Sequence, residues 1–237
     1  KASGIEAPLA LEDYSFWFYT AYWLQQSIGI DNVGDLYDGT IKFSDPKILD
    51  ILTTTSELGQ KKLVSYEQPS ELVSQGKAAM VIGGAWLIPD LKKNLGDKFG
   101  MIKIPDYNST VVSSGTGLGG VGSAYFVTNY SEHKAEAVEF LKFLTSKEEQ
   151  ELLLKSGESS LVTSKVADYA SIVTDPEFIK MQQWSTADGV FPYMDNSIDA
   201  DIANEISKLA PTIISGQMSP KDFATAIDKK VKEVLGN

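Results

Sequence analysis

The chain has 237 residues, 43% of them hydrophobic and 22% charged, which is ordinary for globular protein and enough for one large domain or two small ones. The net charge is −11 and every basic residue is lysine, which argues against a nucleic-acid binder and removes the arginine fork used to clamp phosphates and carboxylates. Without cysteine and with one histidine, the chain has no disulfides, thiolate catalysis or zinc–sulfur sites, and His-based metal sites or Ser-His triads are not expected; nor does any apolar run approach the roughly 18 residues of a membrane span.

Lys1–Leu11 is small and polar with one proline and reads as a lead-in. Glu12–Ile28 reads as an aromatic-rich helix, with Phe16, Tyr19 and Trp23 on one face and Trp17 and Phe18 pointing elsewhere. So many rings exceed the needs of one core stripe. They fit a helix buried on most sides, or one that lends a ring to a cleft. Gly29–Gly39 reads as a loop or hairpin; its acidic residues do not have the spacing of a calcium loop. Ser44-Asp45-Pro46 predicts a helix start, with Ile48, Leu49 and Leu52 inward and Gly59 at its end. Another short helix is predicted over Ser70–Gln75.

Gly76–Pro89 then carries a short apolar run, Ala78–Ile82, that ends in two glycines and Trp86. Its length suits a buried strand, and the glycines permit a sharp turn or a close approach. Ligands of open α/β sheets bind beyond the carboxyl ends of strands. Trp86 is therefore either a core plug or a ligand platform.

Leu91–Asn94 reads as helix and Met101–Ile104 as a strand stopped by Pro105. Asp106–Gly122, rich in Ser, Thr and Gly, reads as a linker or domain crossing. Its GxGxxG lacks the helix that a dinucleotide site needs directly after the glycines, because Ser123–Thr128 looks like a strand. These glycines suit a bend or a close ligand approach. Ser131 is expected to cap a helix carrying Ala135, Val138, Leu141 and Leu144, with His133 in its solvated first turn. Ser146 and Glu149 form a capping box for a helix that turns Leu152 and Leu153 inward. Further helices start after Asp175-Pro176, run along Ile198, Ile202, Ile206, Leu209 and Ile213 with a kink at Pro211, and start at Ser219-Pro220 with Phe223, Ile227, Val231 and Val234 inward. A loop of mixed aromatic and polar character spans Phe191–Asn196.

Taken in order, Gly-Lys-Ala-Ala-Met, Gly-x-Trp, a strand ending Ile-Pro, a Gly-Gly-x-Gly entry into a strand, and Ala-x-Glu-Phe-Leu-Lys-Phe-Leu-Thr with its Glu-Glu-Gln continuation form a recognisable series. The chain resembles the extracellular solute-binding proteins of family 1, the maltose-binding-protein-like sugar receptors of ABC importers. The resemblance implies an α/β, periplasmic-binding-protein-like (type II) two-lobe hinge fold whose N-terminal portion, which begins the first lobe, is missing. It implies that residues 1–106 and 160–237 make the second lobe, complete, and that residues 107–159 hold the crossing and a C-terminal piece of a partial first lobe.

The implied function is reversible, extracytoplasmic binding of a mono- or oligosaccharide between the lobes and its delivery to membrane permease subunits. No cofactor, catalysis or nucleic acid is implied, and the protein would be a monomer, periplasmic or lipid-anchored. Carried across, the ligand-binding residues are Trp86, Phe16 or Trp17, Gly119, Gly120, Asp195 and Asn196. The family's further stacking aromatic is not evident at Ile198–Asp201, which weakens any expectation of maltose or long oligosaccharides. The alternatives are a non-sugar cargo (a polyamine, metal chelate or phosphate ester) or a glycoside hydrolase using Asp195, Asp199 and Asp201. In the latter, crowding in one segment makes it awkward to set carboxylates across a glycosidic bond.

Overall fold

A computed structural model describes residues 5–11, 15–29, 32–65, 69–107, 117–119, 124–156, 169–187, 190–194 and 197–236. Strands β1 (Ala7–Leu11), β2 (Val64–Ser65) and β3 (Ala78–Ile82) form an all-parallel sheet in the order β2-β1-β3. Parallel neighbours require crossovers. Here α1 (Ser15–Ile28), α2 (Val33–Tyr37) and α3 (Pro46–Gln60) link β1 to β2, and α4 (Pro69–Ser74) links β2 to β3. After β3 comes α5 (Ile88–Leu95). A second parallel pair joins β4 (Gly117–Gly119) to β5 (Val190–Pro192). Helices α6 (Lys134–Leu144), α7 (Lys147–Ser156), α8 (Tyr169–Ile172) and α9 (Pro176–Ala187) lie between those strands in the chain, and α10 (Ala200–Ile214) and α11 (Pro220–Leu235) follow them.

The expected lead-in is therefore partly the central strand of the sheet. Pro8 argued against a central strand, since it cannot donate to the ladder. The ladder closes around it: Leu9 N–H donates to Leu63 O (3.1 Å), and the N–H groups of Glu6 and Ala7 donate to Lys77 O (2.8 and 3.3 Å).

The main core lies where α1, α3, α10 and α11 meet, and it includes Leu24, Ile48, Ile51, Ile202, Ile206 and Ile227. α3 and α11 start where the sequence says, and α10 starts with a cap that sequence reading missed. Asp45 accepts from Lys47 N–H at α3 (2.9 Å), Asp199 from Asp201 N–H at α10 (2.9 Å), and Ser219 from Asp222 N–H at α11 (3.1 Å). Gly59 does not end α3, which runs to Gln60. It is the point where α10 passes against α3, so that a methyl at Gly59 would lie 1.8 Å from Ile214 O. Pro211 stands inside α10 without ending it. Asp228, on α11, accepts from the N–H groups of Phe43 (2.6 Å) and Ser44 (3.1 Å) and so ties α11 to the chain entering α3.

Several expectations change. The segment read as a loop or hairpin, Gly29–Gly39, holds α2, whose Leu36 is fully buried. Neither Met101–Ile104 nor the described part of Ser123–Thr128 is a strand. A strand exists only where a neighbour completes its ladder, and among the described residues neither segment has one. On α7, Gln150 and Leu154 are buried in place of Leu152 and Leu153. Ser131 accepts from His133 N–H (3.2 Å) one residue before α6 and does not cap it. None of Ala135, Val138, Leu141 and Leu144 is buried; α6 buries no residue at all.

Candidate functional site

Trp86 stands on a short 3₁₀ turn, Ala85–Leu87, directly between β3 and α5. The turn is fixed from its C-terminal side, because Ile88 and Leu91 are buried in two apolar clusters. Trp86 itself is 54% exposed, although an indole of that size usually goes inside. Its ring lies over Gly84: a Cβ there would sit 2.0 Å from Trp86 Cζ3, and one at Gly83 would sit 2.3 Å from Leu87 Cδ1. Gly84 has φ −105° and ψ −177°, an extended conformation open to any residue. The glycine is therefore required by the ring above it, not by the backbone.

The parallel sheet brings a second segment to the same edge. Leu11 and Ile82 are register partners at the carboxyl ends of β1 and β3. The chain leaving β1 enters α1 at Ser15, so the start of α1 and the Trp86 turn issue from adjacent strand ends. Of the two aromatic candidates there, Phe16 is corrected. Its ring is 3% exposed and packs edge-on against Phe223 at 5.9 Å, so it offers no face to a cleft. The side chain of Trp17 lies outside what the structure describes, as do Gly120, Asp195 and Asn196. Gly119 pairs with Pro192, and a Cβ there would be 2.8 Å from Val190 Cβ. What packs closely at Gly119 in this structure is the neighbouring strand β5.

Residues 105–107 are bound to α1 and α3 by a polar cluster that sequence reading missed. The Tyr22 hydroxyl and the Gln26 amide (2.7 Å) both donate to Asp106 Oδ1. Tyr107 N–H donates to Gln26 Oε1 (2.7 Å), and Trp23 Nε1–H donates to Pro105 O (3.0 Å). The rings of Trp23 and Tyr107 lie 5.2 Å apart, and the Tyr107 hydroxyl donates to Asp50. Burial, the hydrogen bond to Asp50 and the charge of Asp50 push the Tyr107 phenol above its ordinary pKa.

A second missed group is Trp184 on α9, with Lys180 Nζ 5.0 Å and Lys103 Nζ 5.4 Å from its ring centroid. Lys180 also donates to Met101 O (2.9 Å), which fastens the segment after α5 to α9. Nearby, Asp175 pairs with Lys92 at 2.6 Å and accepts from Glu177 N–H at 2.9 Å. Burial alone would raise the Asp175 pKa, but the Lys92 hydrogen bond and charge and the N–H groups of Glu177 and Phe178 hold it below the ordinary value.

This arrangement sets a half-exposed indole at the carboxyl edge of a parallel sheet, on a turn anchored by buried neighbours. Asp199, one of three carboxylates considered for glycoside hydrolysis, caps α10. A profile of the bacterial extracellular solute-binding proteins matches residues 9–180. The chain belongs to that family. Solved structures agree on the fold of this solute-binding protein. A chitin oligosaccharide binding protein superposes with a TM-score of 0.84 at 18% identity, covering 100% of this chain and 62% of its own. A sugar transporter from Bacillus licheniformis in complex with stachyose gives 0.71 at 16% identity, with 97% and 61% covered. The maltose/maltodextrin-binding domain from Bdellovibrio bacteriovorus bound to maltotriose gives 0.67 at 19%, with 98% and 61% covered. The fold is therefore periplasmic-binding-protein-like, and the chain spans about three fifths of the length of these structures. Among the described residues no helix is long and apolar enough to cross a membrane.

Proposed function

We propose that this solute-binding protein is the extracytoplasmic binding component of an ABC importer. It holds a carbohydrate reversibly between two lobes, performs no chemistry on it and passes it to membrane permease subunits. Residues 1–106 and 160–237 make the second lobe, and residues 107–159 carry the crossing and a piece of the first. The observation that carries this reading is the exposure of Trp86 at the sheet's carboxyl edge. A sugar offers an apolar C–H face that an indole can cover, and a rim of hydroxyls that needs partners, since each buried polar group left unpaired costs about 1–3 kcal/mol. Trp17, Gly119, Gly120, Asp195 and Asn196 complete the proposed site. The solved relatives support the cargo class, because the proteins that share this fold are described as bound to stachyose and maltotriose.

Binding must favour the closed arrangement of the lobes, or no signal reaches the permease. The test is a titration of the full-length gene product with a panel of sugars, followed by tryptophan fluorescence. Saturable responses to a sugar are expected, and Trp86→Ala should weaken the best ligand by about 2 kcal/mol, roughly thirtyfold in Kd. Silence toward every sugar, with tight binding of a polyamine, metal chelate or phosphate ester, would overturn the cargo. Turnover of a chromogenic glycoside would overturn the absence of chemistry.

A further inference from the structure

An indole that is 54% exposed is aimed less by its own packing than by the backbone that carries it. For Trp86 that backbone is a turn of three residues, and much of what holds the turn lies on other elements. Ala85, just before Trp86, and Ile88, at the start of α5, both pack into one apolar cluster with Leu154 of α7, Val173, and Phe178 of α9. Lys92 follows Ile88 by four residues and so lies on the same face of α5, where it pairs with Asp175 at 2.6 Å. Asp175 is itself held in place. Its other carboxylate oxygen accepts from Glu177 N–H (2.9 Å), and its carbonyl accepts from Ile179 N–H (3.1 Å) as α9 begins.

One face of α5 thus meets the start of α9 through two contacts of different chemistry. The apolar contact sets how deeply the helix sits, and the ion pair sets its rotation about its own axis. Neither Asp175 nor Phe178 belongs to the main core where α1, α3, α10 and α11 meet. We propose that Asp175 and Phe178 are positioning residues for Trp86: acting through Lys92 and Ile88, they set where α5 begins and with it the direction of the indole. The inference rests on the assignment of Trp86 to the binding site and names the residues that hold it there. A binding group serves only where packing and hydrogen bonds behind it lock its position, and a displacement of about half an ångström is enough to matter.

The full-length gene product is labelled with fluorotryptophan, and Trp86→Phe identifies the fluorine resonance of Trp86. Phe178→Ala and Asp175→Asn should each shift or broaden that resonance well below the unfolding temperature. Each should also weaken the tightest-binding sugar of the panel above by at least about threefold. Phe178→Leu, which keeps an apolar side chain in the cluster, should restore most of both. Ile51→Val, a change in the main core that lowers stability about as much as Asp175→Asn, should leave both unaltered. The proposal is overturned if the Trp86 resonance stays in place in either variant, if Ile51→Val moves it equally, or if it moves while sugar affinity holds. Should Phe178→Ala not fold, Asp175→Asn decides alone. The resonance is read without sugar, so a moved resonance in a protein that answers no sugar sinks the carbohydrate reading and leaves the placement of Trp86 standing.

Discussion

Gly84→Ala separates the placement of Trp86 from the stability of the fold. The added methyl would stand 2.0, 2.3 and 2.5 Å from Cζ3, Cη2 and Cε3 of the indole, where ordinary contact begins at 3.4 Å. An indole is rigid, so the ring must swing away by more than an ångström as a unit. The backbone has no reason to resist, because φ −105° and ψ −177° suit alanine. Holding the ring against its preferred rotamer costs about 0.5–1.5 kcal/mol, and the half-exposed ring has solvent on one side into which to turn. The unfolded chain meanwhile loses entropy, which favours the folded state by about 0.4–1 kcal/mol. Stability should thus stay level or rise slightly. Sugar affinity should fall toward that of Trp86→Ala, by up to about 2 kcal/mol if Trp86 is an anchor of the kind that dominates binding sites. Calorimetric titration and thermal unfolding of the full-length gene product measure the two quantities side by side. Gly34→Ala is the control, because a methyl there meets nothing within 4 Å. Affinity within twofold of the parent for Gly84→Ala, alongside a large loss for Trp86→Ala, would refute the reasoning.

Gly59→Ala should destabilise by about 1–3 kcal/mol or more, because the methyl meets backbone at Ile214 O and the α3–α10 crossing has to open; an unchanged urea midpoint would contradict the packing described. Asp175→Asn keeps a side-chain oxygen at the start of α9 but removes the charge facing Lys92. The folded pKa of Asp175 is depressed, so its contribution is present above the ordinary carboxylate pKa and fades as pH falls through the folded value. The mutant should therefore be less stable than the parent by about 1 kcal/mol at pH 7, and the two unfolding curves should converge in acid; a constant gap would show that the charge is not the source. Tyr107→Phe removes the hydrogen bond to Asp50 and should cost about 1 kcal/mol, read as faster amide exchange at residues 105–107. The Tyr107 phenol has a raised pKa, so its contribution holds below its unfolded value and is lost as pH climbs through the folded one. Tyr107→Phe should accordingly flatten the alkaline limb of the stability profile, and an unaltered limb would count against the cluster.

Where a signal is local, the sequence showed it. Asp45-Pro46 and Ser219-Pro220 mark helix starts through chemistry completed within three residues, and β3 is a short apolar run closed by glycines. Where a feature depends on a distant partner, it did not. β1 is a strand only because β2 and β3 flank it, and Pro8 disguised it. Phe16 and Trp17 are adjacent aromatics on one helix, and only the position of Phe223 commits Phe16 to the core. Asp228 gave no signal because its partner Phe43 lies far away in the chain, and of the two lysines at Trp184 only Lys180 is near in sequence while Lys103 is distant. The inward face expected of α6 follows from real periodicity. Among the described residues, however, α6 buries none of that face.

The parts that hold Trp86 also determine how it would bind. The turn is fixed by Ile88 and Leu91, the ring rests over a glycine, and β1 and β3 end in register beside it. α1, which starts from the same edge, is held by the core on one side and by Asp106 and Tyr107 on another. Little of this wall has to be ordered by a ligand, so the entropic cost of shaping it has been met in folding. A sugar arriving at such a surface need not order this wall, whatever the closing of the lobes costs. Variants that strip contacts from the wall should therefore act mainly on the dissociation rate, with association nearly unchanged.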